Sequence, residues 1–106
     1  MITGEEHPDI ATAYDNIGEV YKDLGDYKMA QVYQEKALRI RLCVFGENHP
    51  GVARSYRNVG YQYSLLGDHV RALEYYSKAL EIARSIKNAY LEAELQSLLA
   101  RERVWS

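Results

Sequence analysis

His7, Cys43, Glu47 and His49 are the residues whose types could do chemistry in this chain, because imidazole, thiol and carboxylate ligate zinc or pair as nucleophile and base. A zinc site wants convergent ligands at short, recognisable spacings. Here the two histidines stand 42 positions apart, inside the matching stretches GEEHP (Gly4 to Pro8) and GENHP (Gly46 to Pro50). They recur because a linker recurs. Their expected place is the entrance of a helix, and Cys43 is expected to be a small buried apolar residue. Gly18, Gly25, Gly60 and Gly67 do not fall into a G-x-G-x-x-G phosphate loop. The expectation is a chain with no catalytic residue, no metal site and no cofactor, and not an enzyme.

The elements that hold these residues come from a duplication. At the same offset of 42, Ala11 meets Ala53, Tyr14 meets Tyr56, Asn16 meets Asn58, Gly18 meets Gly60 and Tyr21 meets Tyr63. Leu24-Gly25-Asp26 meets Leu66-Gly67-Asp68, and the match runs on through Ala30/Ala72, Tyr33/Tyr75, Ala37/Ala79 and Ile40/Ile82. A period of this length marks a solenoid, whose units bury their apolar faces only by stacking on neighbours. With 106 residues, 47% hydrophobic and 26% charged, the chain has the composition of a single soluble domain. A formal net charge of -2 lacks the dense Lys/Arg field that a phosphate backbone needs, so nucleic acid is not an expected partner. No apolar run is long enough to span a bilayer, MITGEEH does not read as a signal peptide, and a single cysteine forms no internal disulfide. A cytoplasmic location without membrane association is expected.

Each unit reads as two helices. Pro8 and Pro50 suit a first helical turn, where the missing N–H has no intrahelical partner. Ile10, Tyr14, Ile17, Tyr21 and Leu24, then Val52, Tyr56, Val59, Tyr63 and Leu66, recur at the three-to-four spacing of an amphipathic helix. Gly25 and Gly67 can end these helices in the left-handed conformation, and Asp26 and Asp68 can cap the next ones, placed at about 27–44 and 69–85. Gly18 and Gly60 sit inside helices, where glycine costs roughly 1 kcal/mol against alanine. Close approach of the paired helix, with Ala30, Ala37, Ala72 and Ala79 facing them, is the expected compensation. Most of the ten tyrosines, among them Tyr14, Tyr21, Tyr33, Tyr56, Tyr63, Tyr75 and Tyr76, fall on core positions rather than on a ligand-stacking surface.

Tyr56-x2-Val59-Gly60-x2-Tyr63, Ala72, Tyr76 and Ala79 together resemble the tetratricopeptide repeat. The first unit matches through Tyr14, Ile17, Gly18, Tyr21, Ala30 and Ala37, but carries Gln34 where an aromatic is usual; Leu42 and Arg84 stand where the family's closing proline would be. The 42-residue period and the GE-x-HP linker are similar to the longer variety in kinesin light chains and nephrocystin-type proteins. The resemblance implies an all-α solenoid of two helix pairs, repeat 1 over about 8–45 and repeat 2 over about 50–86, in a right-handed superhelical stack. A fifth helix over about 89–105, with Leu91, Leu95, Leu98 and Leu99 on one face, caps the stack or begins a third repeat. A continuous helix from His69 to Trp105 is the structural rival, since Asn88 is a weak breaker.

In such folds the first helix of each unit lines a concave groove. The resemblance therefore assigns that surface to Thr12, Asp15, Asn16, Glu19 and Asp23 in one unit and to Arg54, Arg57, Asn58, Tyr61 and Leu65 in the other. This groove would be acidic at its start and basic, with an aromatic, at its second step, which suits reading an extended peptide in one direction. Residues matching Asn16 and Asn58 hold ligand backbone in kinesin-light-chain-like and spindle-scaffold repeats; the alternative is that they bond within the solenoid or face water. The expected function is protein–protein interaction with a short, acidic or aromatic-containing peptide. Its rivals are an architectural slice of a longer scaffold, self-associating through solenoid ends or a swapped last helix, and a regulatory domain of a larger enzyme.

Overall fold

The computed structural model describes residues 7–104, so Trp105 and the Gly4-Glu5-Glu6 part of the first linker lie outside the described residues. Five helices follow one another: α1 (Pro8–Asp23), α2 (Tyr27–Phe45), α3 (Pro50–Leu65), α4 (His69–Ser85) and α5 (Ala89–Arg103). Helix starts are written locally. His7 Nδ1 accepts the Asp9 amide at 3.1 Å and His49 Nδ1 accepts the Gly51 amide at 3.0 Å, each just before a proline in the first turn. Asp26, Asp68 and Asn88 cap α2, α4 and α5 by accepting amides of Met29, Arg71 and Leu91. Both recurring histidines are thus helix caps, and His49 also stacks on the Phe45 ring at 4.1 Å.

Three tight turns share one geometry. The Asp26, Asp68 and Asn88 amides donate to Tyr21, Tyr63 and Ala83 carbonyls, each at 2.9 Å, closing the six-to-one bond of a Schellman motif. The residue before each has positive φ: Gly25 at 83°, Gly67 at 82° and Lys87 at 58°. Ile86-Lys87-Asn88 therefore does the work of Leu-Gly-Asp, and the continuous helix from His69 is overturned because α4 ends at Ser85. The buried place expected for Cys43 is corrected as well, since its thiol lies on an exposed face of α2.

Substantial backbone contacts join only sequential helices among the described residues, as a solenoid requires. Side chains join alternate helices: Arg57 on α3 to Glu94 on α5, and Glu35 on α2 to Tyr75 on α4. The helices therefore form two layers, α1-α3-α5 and α2-α4, and the 19 Å short dimension equals about two helix diameters. The main core runs from Leu38 through Val52, Val59, Ala72, Tyr76 and Ala79 to Leu91, Leu95 and Leu99. Burying those three leucines at roughly 1.5–3 kcal/mol each makes α5 an integral part of the stack. Ala30, Ala37, Ala72 and Ala79 are fully buried, and Gly18 and Gly60 face the second helix of their own unit. Each unit carries a tyrosine trio at matching positions, Tyr14-Tyr33-Tyr21 and Tyr56-Tyr75-Tyr63, with ring centroids 5.3–6.0 Å apart.

Repeat 1 is the less covered unit. Ile17 and Leu24, expected on the apolar face, are 39% and 75% exposed, whereas Val59, the counterpart of Ile17, is fully buried in the main core.

Candidate functional site

A cavity of about 260 Å³ opens where α1, α3 and α5 meet, lined by Glu19, Lys22, Arg57, Asn58, Tyr61, Glu94 and Leu98. Helical spacing puts Glu19 and Lys22 one turn apart on α1, and Arg57, Asn58 and Tyr61 one turn apart on α3. Glu19 and Lys22 pair at 2.8 Å, and the Lys22 ammonium lies 5.8 Å from the centre of the half-exposed Tyr61 ring. The Arg57 guanidinium is held at both ends: Nη1 donates to Glu94 Oε1 at 2.6 Å, and Nη2 to Asn58 Oδ1 at 3.3 Å. An aromatic face, a carboxamide and two cations converge within one opening.

Four of the sequence-assigned groove residues, Glu19, Arg57, Asn58 and Tyr61, thus come together. Thr12, Asn16, Asp23 and Arg54 are exposed and Leu65 half-buried, all outside this cavity. Among the described residues Arg54 has no ion-pair partner, in contrast to Arg57. Asp15 has a different role from the one its helix face suggested. Its carboxylate meets Arg41 Nη1 at 2.5 Å, and Arg41 Nη1 also donates to Ser55 Oγ at 2.8 Å, so the group ties α1, α2 and α3. Burial raises the Asp15 pKa above the ordinary aspartate value and outweighs the opposing pull of Arg41. With Asp15 withdrawn, the expected passage from an acidic to a basic step is corrected to an alternation, Glu19-Lys22 followed by Arg57-Glu94.

Lys22, Glu94 and Leu98 were not assigned from sequence. Lys22 was within reach, three residues beyond Glu19 on the same helix. Glu94 and Leu98 were not, because only the docking of α5 brings them beside α3. Two further clefts, of about 220 and 230 Å³, lie on the α2-α4 layer, lined by Glu35, Leu38, Arg39 and Tyr75 and by Tyr56, Glu74, Tyr75 and Lys78. Their polar groups are largely engaged, since Glu35 Oε1 accepts both the Tyr63 and Tyr75 hydroxyls and Lys78 pairs with Glu47. Among the described residues, no three His, Cys, Asp or Glu side chains gather to hold a metal ion. Among the described residues no helix is long and apolar enough to cross a membrane.

The model of the tetratricopeptide repeat matches residues 9–85, which contain both duplicated helix pairs. The chain belongs to the tetratricopeptide repeat family. Among solved structures, this tetratricopeptide chain is similar to BtubC (BKLC) from P. vanneervenii, with a TM-score of 0.70, 21% identity and coverage of 94% of this chain. The chain spans 49% of that structure's length, and at this identity the likeness concerns the fold. No curated protein matches it in sequence. Membership of the family supports a protein-interaction module, and the layer of first helices, α1-α3-α5, is the layer that holds the cavity.

Proposed function

We propose that this tetratricopeptide module binds a short extended peptide of a partner protein along α1 and α3, and that the peptide carries acidic and aromatic side chains. The observation that carries the reading is the single opening shared by Arg57, Asn58, Tyr61 and Lys22. The guanidinium offers a carboxylate charge-assisted bonds, the carboxamide can hold a backbone N–H or C=O, and the Tyr61 ring with Leu98 offers an apolar platform. Arg54, one helical turn before Arg57 and exposed, extends the basic edge along α3. Replacing Arg54 and Arg57 with alanine together is expected to weaken binding of an acidic peptide at least tenfold with an unchanged circular dichroism spectrum. Equal binding by the double variant would remove the groove assignment.

A second reading, stacking with another helical unit, is favoured by the exposed stripe Ile17, Val20 and Leu24 on α1. Of the corresponding positions of α3, which packs against the preceding helix α2, Val59 and Gln62 are buried and Leu66 is 42% exposed, so an amphipathic helix from a neighbouring unit fits the Ile17 and Val20 part of the stripe. Light scattering over a concentration series, with Val20→Glu as the comparison, tests it: mass growth suppressed by the charge supports stacking, and a constant monomer mass rejects it.

A further inference from the structure

We propose that Glu94 is an internal competitor for the ligand: its carboxylate occupies on Arg57 the place of a peptide carboxylate, so the module holds its own groove partly closed. This inference rests on the peptide-groove reading above and concerns the regulation of that site.

Three observations carry it. Glu94 comes from α5, whereas Arg57 and Asn58 come from α3, so the pair bridges two helices across the mouth of the cavity rather than decorating one helix face. Both terminal nitrogens of Arg57 are engaged by its own chain, Nη1 with Glu94 Oε1 and Nη2 with Asn58 Oδ1. The same arrangement therefore engages the carboxamide oxygen that a peptide N–H would use. Glu94 is also only partly covered, with 39% of its side chain exposed and 27% of Arg57's, so an entering carboxylate can reach the guanidinium and expel Glu94 into water.

Charge balance gives the direction. The cavity holds Lys22 and Arg57 against Glu19 and Glu94 and is neutral as it stands. A peptide carboxylate that binds Arg57 must replace an existing ion pair, and its net gain is only the difference between two similar contacts. Removing the Glu94 charge leaves the cavity at one positive charge and frees the Nη1 end of Arg57, with Nη2 still held by Asn58. Glu92, two residues away on α5, is the natural control, because it pairs with Arg84 at 3.2 Å and does not line the cavity. Arg54 is the cation that a ligand meets without such competition, so it is expected to act first and Arg57 second.

The test uses fluorescence polarisation with the dye-labelled, end-blocked peptide SGEWEGS and its glutamine counterpart SGQWQGS on the wild-type chain. Glu94→Gln is expected to bind the acidic peptide about three- to tenfold more tightly than wild type. Glu92→Gln is expected to leave the affinity within about twofold, and the gain from Glu94→Gln is expected to vanish in an Arg57→Ala background or with SGQWQGS. Equal affinity of wild type and Glu94→Gln for the acidic peptide would overturn the competitor role while leaving the groove intact. An equal gain from Glu92→Gln, or a gain that persists without Arg57, would overturn it in favour of general charge. No binding by wild type and Glu94→Gln alike would overturn the groove reading and the competitor with it.

Discussion

A β-carbon placed on Gly60 would stand 2.9 Å from two ring atoms of Tyr76 and 3.2 Å from Cβ of Tyr75. Tyr76 is 1% exposed and belongs to the main core with Ala72, Ala79 and Leu95, so its rigid ring yields only by repacking that core. In the first unit the same position meets a softer neighbour. A β-carbon on Gly18 would stand 2.9 Å from Gln34 Nε2, the far end of a flexible side chain.

Alanine at either glycine gains about 1 kcal/mol of helix propensity, and overpacking costs about 1–3 kcal/mol. Overpacking is expected to win at Gly60 and to be nearly cancelled at Gly18. Urea unfolding of Gly60→Ala and Gly18→Ala should therefore place Gly60→Ala at least 1 kcal/mol below its counterpart. Equal midpoints would mean that Tyr76 relaxes as readily as Gln34.

Gln34 is 1% exposed, and neither its Oε1 nor its Nε2 has a partner among the described residues. A buried amide without hydrogen bonds costs about 1–3 kcal/mol. Gln34→Met keeps the length and flexibility of the side chain and removes the unsatisfied atoms. A rise in stability of about 1 kcal/mol is expected, read as a higher urea midpoint at unchanged slope. A loss of stability would show that the amide is satisfied by solvent.

Lys87 holds a left-handed backbone that Gly25 and Gly67 hold without steric cost. Lys87→Gly relieves a strain of about 1–2 kcal/mol and loses part of that to the greater freedom of glycine in the unfolded chain. A net gain of about 0.5–1 kcal/mol is expected, with slower amide exchange at the start of α5. If Lys87→Gly destabilised the chain, the Schellman turn there would not be the element that fixes α5.

The Asp15 carboxyl has a pKa raised by burial, so the folded chain holds its proton more tightly than the unfolded chain does. Between the unfolded and folded values the folded state binds more protons, and stability falls as pH rises through that window. The ion pair with Arg41 thus reduces a burial cost without abolishing it. Asp15→Asn should be no less stable than wild type at pH 7 and should lack the decline with rising pH just above the ordinary aspartate range. Thermal midpoints across pH 3–7 measure both, and a marked loss at pH 7 would reverse the balance between burial and pairing.

The sequence by itself determined what depends on neighbours along the chain. The 42-residue duplication located four helices, the prolines with the His residues before them and the Asp residues before the second helices marked their starts, and Leu-Gly-Asp marked two turns, because each signal acts through local backbone bonds. The paired glycines and alanines were legible too, since only close helix approach explains glycine in mid-helix. Tertiary structure decided the rest. Asp15 and Glu19 share a helix face in sequence, yet Arg41 of α2 draws Asp15 into the joint while Glu19 stays at the opening. Cys43 falls on an outer face because neighbouring helices cover other sides of α2. Ile17 and Val59 are equivalent in pattern, but α3 packs between α2 and α4 while α1 packs mainly on α2, and only Val59 is buried. The meeting of Arg57 with Glu94, 37 residues apart, follows from how α5 docks on the second unit, a relation between helices that periodicity does not encode.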